Sequence, residues 1–255
     1  MKDPNENEVA RAIYELRHGW SMPAFFLVAG WAALTGFRAK GPRPFWINRI
    51  RRLLVPFIVG LILLAPMIKF FELNSGFDLR PSGPRTISGF GMSYLDFFLL
   101  YWQRLNLTTW SHLWFLGYLM IIIVLTYPVV TLLRRLYLPP FVLGGILILG
   151  QGWWPYYPNL VGDLPNLIYF TLLFVAGAVI AADPVAEKAV ERERWRLFIG
   201  GIACLIVMTQ VAETDIGRLL AACAAWGIVT GMLGIGGGLT FRRGPIFRYL
   251  TDAIM

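Results

Sequence analysis

The fold class predicted by this sequence is all-α, a polytopic transmembrane helical bundle, and three observations carry it. Hydrophobic residues make up 57% of the 255 residues and charged ones only 15%, at a mean hydropathy of +0.60, far from the balance of a soluble domain. The apolar residues gather into runs long enough to cross a hydrocarbon core about 30 Å thick at about 1.5 Å per residue. The cations gather between those runs, the pattern of positive-inside topology. A net charge of +8 would suggest nucleic acid in a soluble chain; here topology accounts for it, and no nucleic-acid partner is expected.

The first run sets the orientation. Trp20 to Phe37 reads WSMPAFFLVAGWAALTGF without a charge, and Arg38, Lys40, Arg43, Arg49, Arg51 and Arg52 follow with no acidic residue among them. This basic loop belongs in the cytoplasm and Trp20 at the outer face. Met1 to Arg17 is polar, with neither a signal peptide nor a span of its own. An out-to-in first helix puts that segment outside, so a preceding transmembrane helix is expected upstream of this chain.

Leu53 to Phe71 returns outward, with Pro56 in its first turn and Pro66 as an expected kink. Glu72 to Ser111 is the longest polar interval. Asp78, Arg80, Pro81, Gly83, Pro84 and Arg85 mark an irregular loop there, and Tyr94 to Leu105, too short to span, reads as an interfacial or re-entrant helix. His112 to Leu133 spans inward to Arg134 and Arg135. Leu138 to Trp153 runs outward to an aromatic belt of Trp153, Trp154, Tyr156 and Tyr157, and Leu164 to Ala182 comes back in. Asp183 to Arg196, with charges of both signs, reads as a solvated cytoplasmic helix. Leu197 to Val211 and Ile216 to Leu239 complete seven spans, N-terminus out and C-terminus in, with fifteen of the 23 Lys and Arg in the inner segments.

Two groups of residues are candidates for chemistry. His18 and His112 are the only histidines, and the topology places both at the outer ends of out-to-in helices. They either line one outward-facing cavity or are interfacial groups satisfied by water and backbone. No Cys, Asp or Glu stands at metal-ligand spacing to either, so no metal is expected. Arg49, Arg51 and Arg52 open a helix at the cytoplasmic surface, where guanidinium groups either bind phosphates bidentately or fix topology and meet anionic membrane lipid. Gly227, Gly231 and Gly234 lack the strand and lysine of a phosphate loop and read as small-residue helix packing. Cys204 and Cys223 read as small core residues. No nucleophile elbow and no carboxylate pair within a span is present.

Three stretches together resemble the acyltransferase-3 family of integral membrane acyltransferases, nearest the branch that contains the glucan-succinylating protein C. They are HGWSMPAFFLVAGW at His18 to Trp31, FWINRIRRLLVP at Phe45 to Pro56 and SHLWFLGYLMII at Ser111 to Ile122. The resemblance implies one acyltransferase-3-like domain over residues 1–255, part of a bundle of about ten helices. It implies transfer of an acetyl or succinyl group from cytoplasmic acyl-CoA to a hydroxyl of an extracytoplasmic glycan, in the inner membrane. No permanently bound cofactor is implied; acyl-CoA is the donor substrate.

By position, Arg49, Arg51 and Arg52 match the family's basic cluster, linked to the CoA phosphates. His112 matches the histidine that opens the His-Leu-Trp-Phe-Leu helix, and His18 one that precedes the Met-Pro-x-Phe-Phe run. Ser21 stands where the family usually has Arg, and Ala29 where a Ser commonly precedes the Gly. Family members also carry an Arg and, about three helical turns later, a His base in a first helix that has no counterpart here. The chain therefore reads as lacking that helix at its N-terminus and further helices after Met255, and as inactive on its own. The competing reading, a small-molecule transporter or passive scaffold, would favour paired broken helices in mirrored halves, and Pro66 is the one strong mid-span break.

Overall fold

The computed structural model describes residues 8–80, 83–86, 90–103, 113–132, 164–208, 211 and 214–238. Helix α1 runs unbroken from Glu8 to Lys40, so Trp20, expected to open a helix, lies inside one. The residues before it contain no proline from Glu8 on and a single glycine, Gly19, which a helix of this length tolerates. Gly41 ends α1 with φ 78°, a left-handed conformation that glycine adopts without strain. Pro42 then opens α2, Pro42–Arg49, at a first helical position that needs no donor.

The basic stretch from Arg38 to Arg43, expected to be a loop, is therefore helical except at Gly41, and Arg49, Arg51 and Arg52 stand on a helix as expected. From α2 the chain passes through a π-helical turn, Ile50–Leu54, into α3, Val55–Asn74, making one apolar rod of 33 residues from Pro42 to Asn74. This rod continues through the buried Pro66. Beyond it, the expected irregular loop contains a two-stranded antiparallel ribbon, β1 Phe77–Arg80 and β2 Gly83–Thr86, with Phe77 opposite Thr86 and Arg80 opposite Gly83. The short helix α4, Tyr94–Gln103, follows as expected. It is opened by Ser93, whose Oγ accepts from the Asp96 amide at 3.3 Å.

Helices α5, Trp114–Leu132, α6, Leu164–Ala182, and α8, Asp215–Gly238, lie close to their expected ranges. The solvated segment and the marginal span expected after Asp183 are one helix, α7, Pro184–Met208, set at 102° to α6. Asp183 caps it by accepting from the amides of Val185 at 2.9 Å and Ala186 at 3.3 Å. On its exposed first half, Arg192 and Arg196 donate to the two oxygens of Glu193 at 3.0 Å each, and hold that carboxyl below the usual carboxylate range.

Among the described residues three helical stretches are long and apolar enough to cross a membrane, or four if the bent α6–α7 pair counts as one span. The apolar part of α5 that qualifies, Trp114–Pro128, is shorter. Leu138 to Trp153, Arg134, Arg135 and the chain after Gly238 lie outside the described residues.

The main core lies between α1, α5 and α6. Phe26 stacks on Phe170 at 4.4 Å, and Tyr118, Ile122 and Phe174 are buried with them. These three helices run parallel: Phe25 meets Phe115 and Phe37 meets Tyr127, while Arg38 Nη1 donates to the Ala181 carbonyl at 3.0 Å. All three were expected to run from outside to inside. The α1–α6 contact depends on two glycines, since a Cβ on Gly30 would overlap the Phe174 carbonyl and one on Gly177 the Leu27 carbonyl. Helices α7 and α8 form an antiparallel pair in which Gly227 meets Gly201 and Gly231 meets Phe198, the small-residue packing expected of that glycine series. Cys204 and Cys223, on these two helices, are half-buried free thiols.

Candidate functional site

The three arginines Arg49, Arg51 and Arg52 sit on one helical rod, and each meets a different environment. Four residues separate Phe45 from Arg49, one helical turn, so the guanidinium folds back over the ring, 5.2 Å from its centroid. Phe45 is itself buried, held edge-on by Phe37 and Trp46 at 5.8 and 5.6 Å. Arg49 is thereby fixed and half-buried, while Arg51 and Arg52 are exposed.

Arg51 and Arg52 lie within the π turn, where Val55 donates to the carbonyl of Ile50. Such a turn widens the helix at the expense of packing and recurs at functional sites. Between Arg38 and Arg52 there is no acidic side chain in the sequence. A cluster of this kind presents forked donors and concentrated positive charge, the chemistry of phosphate recognition.

Next to Phe45, an apolar recess opens between α1, α2, α5 and α6, lined by Ala33, Phe37, Ile123, Thr126, Tyr127 and Phe174. The basic rod and this recess share the Phe45 ring as a wall.

The rod's position along the bundle follows from its contacts. Trp46 meets Tyr127 at 5.1 Å, and Gly60 faces Leu113. The two contacts are fourteen residues apart in both helices, so the rod lies antiparallel to α5 in constant register. Arg51 and Arg52 then fall opposite Ile122 and Ile121, near the middle of α5.

The histidines are not brought into view. The backbone of His18 lies within α1 but its side chain is outside the described residues, as is the whole of His112.

Two residues of interest were missed by sequence reasoning. Phe45 carried a signal, an aromatic one turn before an arginine. Lys69 also carried one, a cation inside an apolar run three residues before a carboxylate. It is 1% exposed, and its Nζ donates to Glu72 Oε1 at 2.7 Å.

Parallel apolar helices, glycine-mediated contacts and a basic rod define a multi-pass helical membrane protein. The sequence matches the family model described as an acyltransferase domain over residues 2–253. The chain belongs to the acyltransferase-3 family and is a membrane acyltransferase. No curated protein and no solved structure matches it.

Proposed function

We propose that this membrane acyltransferase takes its acyl group from acyl-CoA on the cytoplasmic side and delivers it to a glycan hydroxyl on the other side of the inner membrane. The observation that carries this reading is the set of three arginines on one rod, with Arg49 fixed over Phe45 and Arg51 and Arg52 exposed on a π turn. Guanidinium groups so arranged suit the phosphates of CoA.

On the far side, a neutral imidazole of His112 accepts the proton of the sugar hydroxyl as its oxygen attacks the thioester carbonyl. The carbon–sulfur bond then breaks, and CoA leaves as a thiolate that takes up a proton. His18, at the same end of the bundle, is the second candidate for this proton. The finer assignment, acetyl or succinyl transfer to a glucan, rests on the three motif stretches alone.

In the full-length protein, Arg51→Ala and Arg52→Ala should each raise the donor KM roughly tenfold, the loss of one charge-assisted contact. His112→Ala should retain the thermal stabilisation given by CoA and lose transfer. Undiminished acylated glycan in cells carrying His112→Ala would remove the outer-site assignment.

A further inference from the structure

Along the sequence the charges of Asp183 to Arg196 nearly cancel, but folded into α7 they separate by face. Lys188, Arg192, Trp195, Arg196, Ile199 and Ile206 stand at positions i, i+4, i+7, i+8, i+11 and i+18, so they share one stripe of the helix. All six are exposed, Trp195 by 56%, Ile199 by 62% and Ile206 by 59%. No acidic residue stands among them. Glu191 turns toward α8, where its Oε1 lies beside Gly237, and half-buried Arg194 donates to the Glu191 carbonyl at 3.4 Å.

The stripe changes character along its length. Its first half is cationic, Trp195 stands at the change, and its second half is apolar, the order of a membrane boundary met from the aqueous side. Glu193, on the flank, accepts from Arg192 and Arg196 at 3.0 Å each. Each arginine uses one donor there and keeps the rest of its fork on a side chain that is 78% exposed for Arg192 and 87% for Arg196. The shared carboxylate thus holds two guanidinium groups side by side without covering them. Helix α7 leaves α6 at 102°, so its charged half runs along the inner end of the bundle instead of projecting straight out of it.

From this sorting we infer that the outward face of α7 binds an anionic phospholipid of the cytoplasmic leaflet. Lys188, Arg192 and Arg196 hold its phosphate, Trp195 lies at the level of its glycerol, and its acyl chains run over Ile199 and Ile206. A phospholipid has the same order as the stripe, a charged head, a polar neck and apolar chains. A soluble phosphate ester would leave the exposed isoleucines uncovered. The inference stands apart from the donor reading, since it uses no residue of α2 or α3. Its consequence is mechanical. Helices α7 and α8 touch through Gly201 with Gly227 and Phe198 with Gly231, where no Cβ fits, so a lipid that fixes the tilt of α7 fixes that of α8 as well.

The test uses the full-length protein, with Cys204 and Cys223 changed to alanine, in nanodiscs of phosphatidylcholine with a minor share of phosphatidylglycerol. Bimane is placed on Ile199→Cys or on Ile206→Cys, the latter about 15 Å along the axis from Arg196. Lipid composition is constant, and bromine is carried on the chains either of the phosphatidylglycerol or of an equal amount of phosphatidylcholine. Brominated phosphatidylglycerol should quench Ile199→Cys about fivefold more steeply than brominated phosphatidylcholine, the enrichment given by one cation near an anionic headgroup. At Ile206→Cys the two should differ less.

The preference should vanish when Lys188→Gln, Arg192→Gln and Arg196→Gln are combined and persist with Arg192→Lys and Arg196→Lys. Lys188→Gln alone, which leaves the Glu193 pair intact, should reduce it. A preference that survives the triple change would overturn the assignment to these cations. Equal quenching by the two lipids at Ile199→Cys would mean ordinary boundary lipid and overturn the inference. Absence of quenching by either would do the same, by showing the face covered by protein or bathed in water. Inorganic phosphate at matched ionic strength should leave the preference intact, and its loss would assign the cluster to a soluble phosphate instead.

Discussion

Phe45 supports the Arg49 guanidinium on one side and closes the apolar recess with Phe37 and Tyr127 on the other, so one ring ties a charge to a core. A cation over a partly desolvated ring contributes about 0.5–2 kcal/mol. Phe45→Leu should therefore weaken donor binding by about three- to tenfold while kcat changes little, and Phe45→Tyr should restore most of the affinity. Measuring KM and kcat with the thermal midpoint of both variants distinguishes this positioning role from a loss of packing, which would lower the midpoint in proportion. Lys69 and Glu72 show a different economy at the same scale. A buried ion pair contributes little net stability of its own, and Glu72 at 2.7 Å lets a lysine be accommodated in so apolar a helix.

Among the elements, the α1–α6 contact is the most exacting. Gly30 and Gly177 each face a backbone carbonyl of the other helix with no room for a methyl group, and backbone cannot swing aside as a side chain can. Small residues that allow such approach are a main source of helix association where lipid supplies no hydrophobic drive. Gly30→Ala and Gly177→Ala should each lower stability in detergent by about 1–3 kcal/mol, read as a fall in the unfolding midpoint. Gly36→Ala, with nothing within 4 Å of its would-be Cβ, should leave the midpoint unchanged or slightly raised.

Helix existence was legible at this scale, because long apolar runs fix their own backbone conformation. Helix ends were not. The polar residues before Trp20 and those after Asp183 are good helix formers, and propensity extends α1 and α7 past the limits set by hydropathy. Charge around Arg38 to Arg43 marks the end of an apolar run, not the end of a helix, and only Gly41 with Pro42 interrupts the backbone there.

For the whole molecule, orientation rests on charge asymmetry, and the parallel course of α1, α5 and α6 agrees with it. In a background lacking Cys204 and Cys223, Lys40→Cys and Glu187→Cys should react with an impermeant thiol reagent only from the cytoplasmic face, and Thr214→Cys only from the opposite face. Labelling in the reverse sense would invert the roles of the basic rod and the histidines together. The candidate site was half legible. Arginine residues announce themselves by type and spacing, but their depth depends on which turn of α3 faces which turn of α5, and no pattern within one helix encodes a register between two.

The far end of α3 has a core of its own. Ala65 and Leu73 are buried there with Phe97 and Tyr101 of α4, separate from the packing that joins α1, α5 and α6. Local openings follow such divisions between clusters. That end of the molecule can thus breathe while the packing of α1, α5 and α6 stays shut.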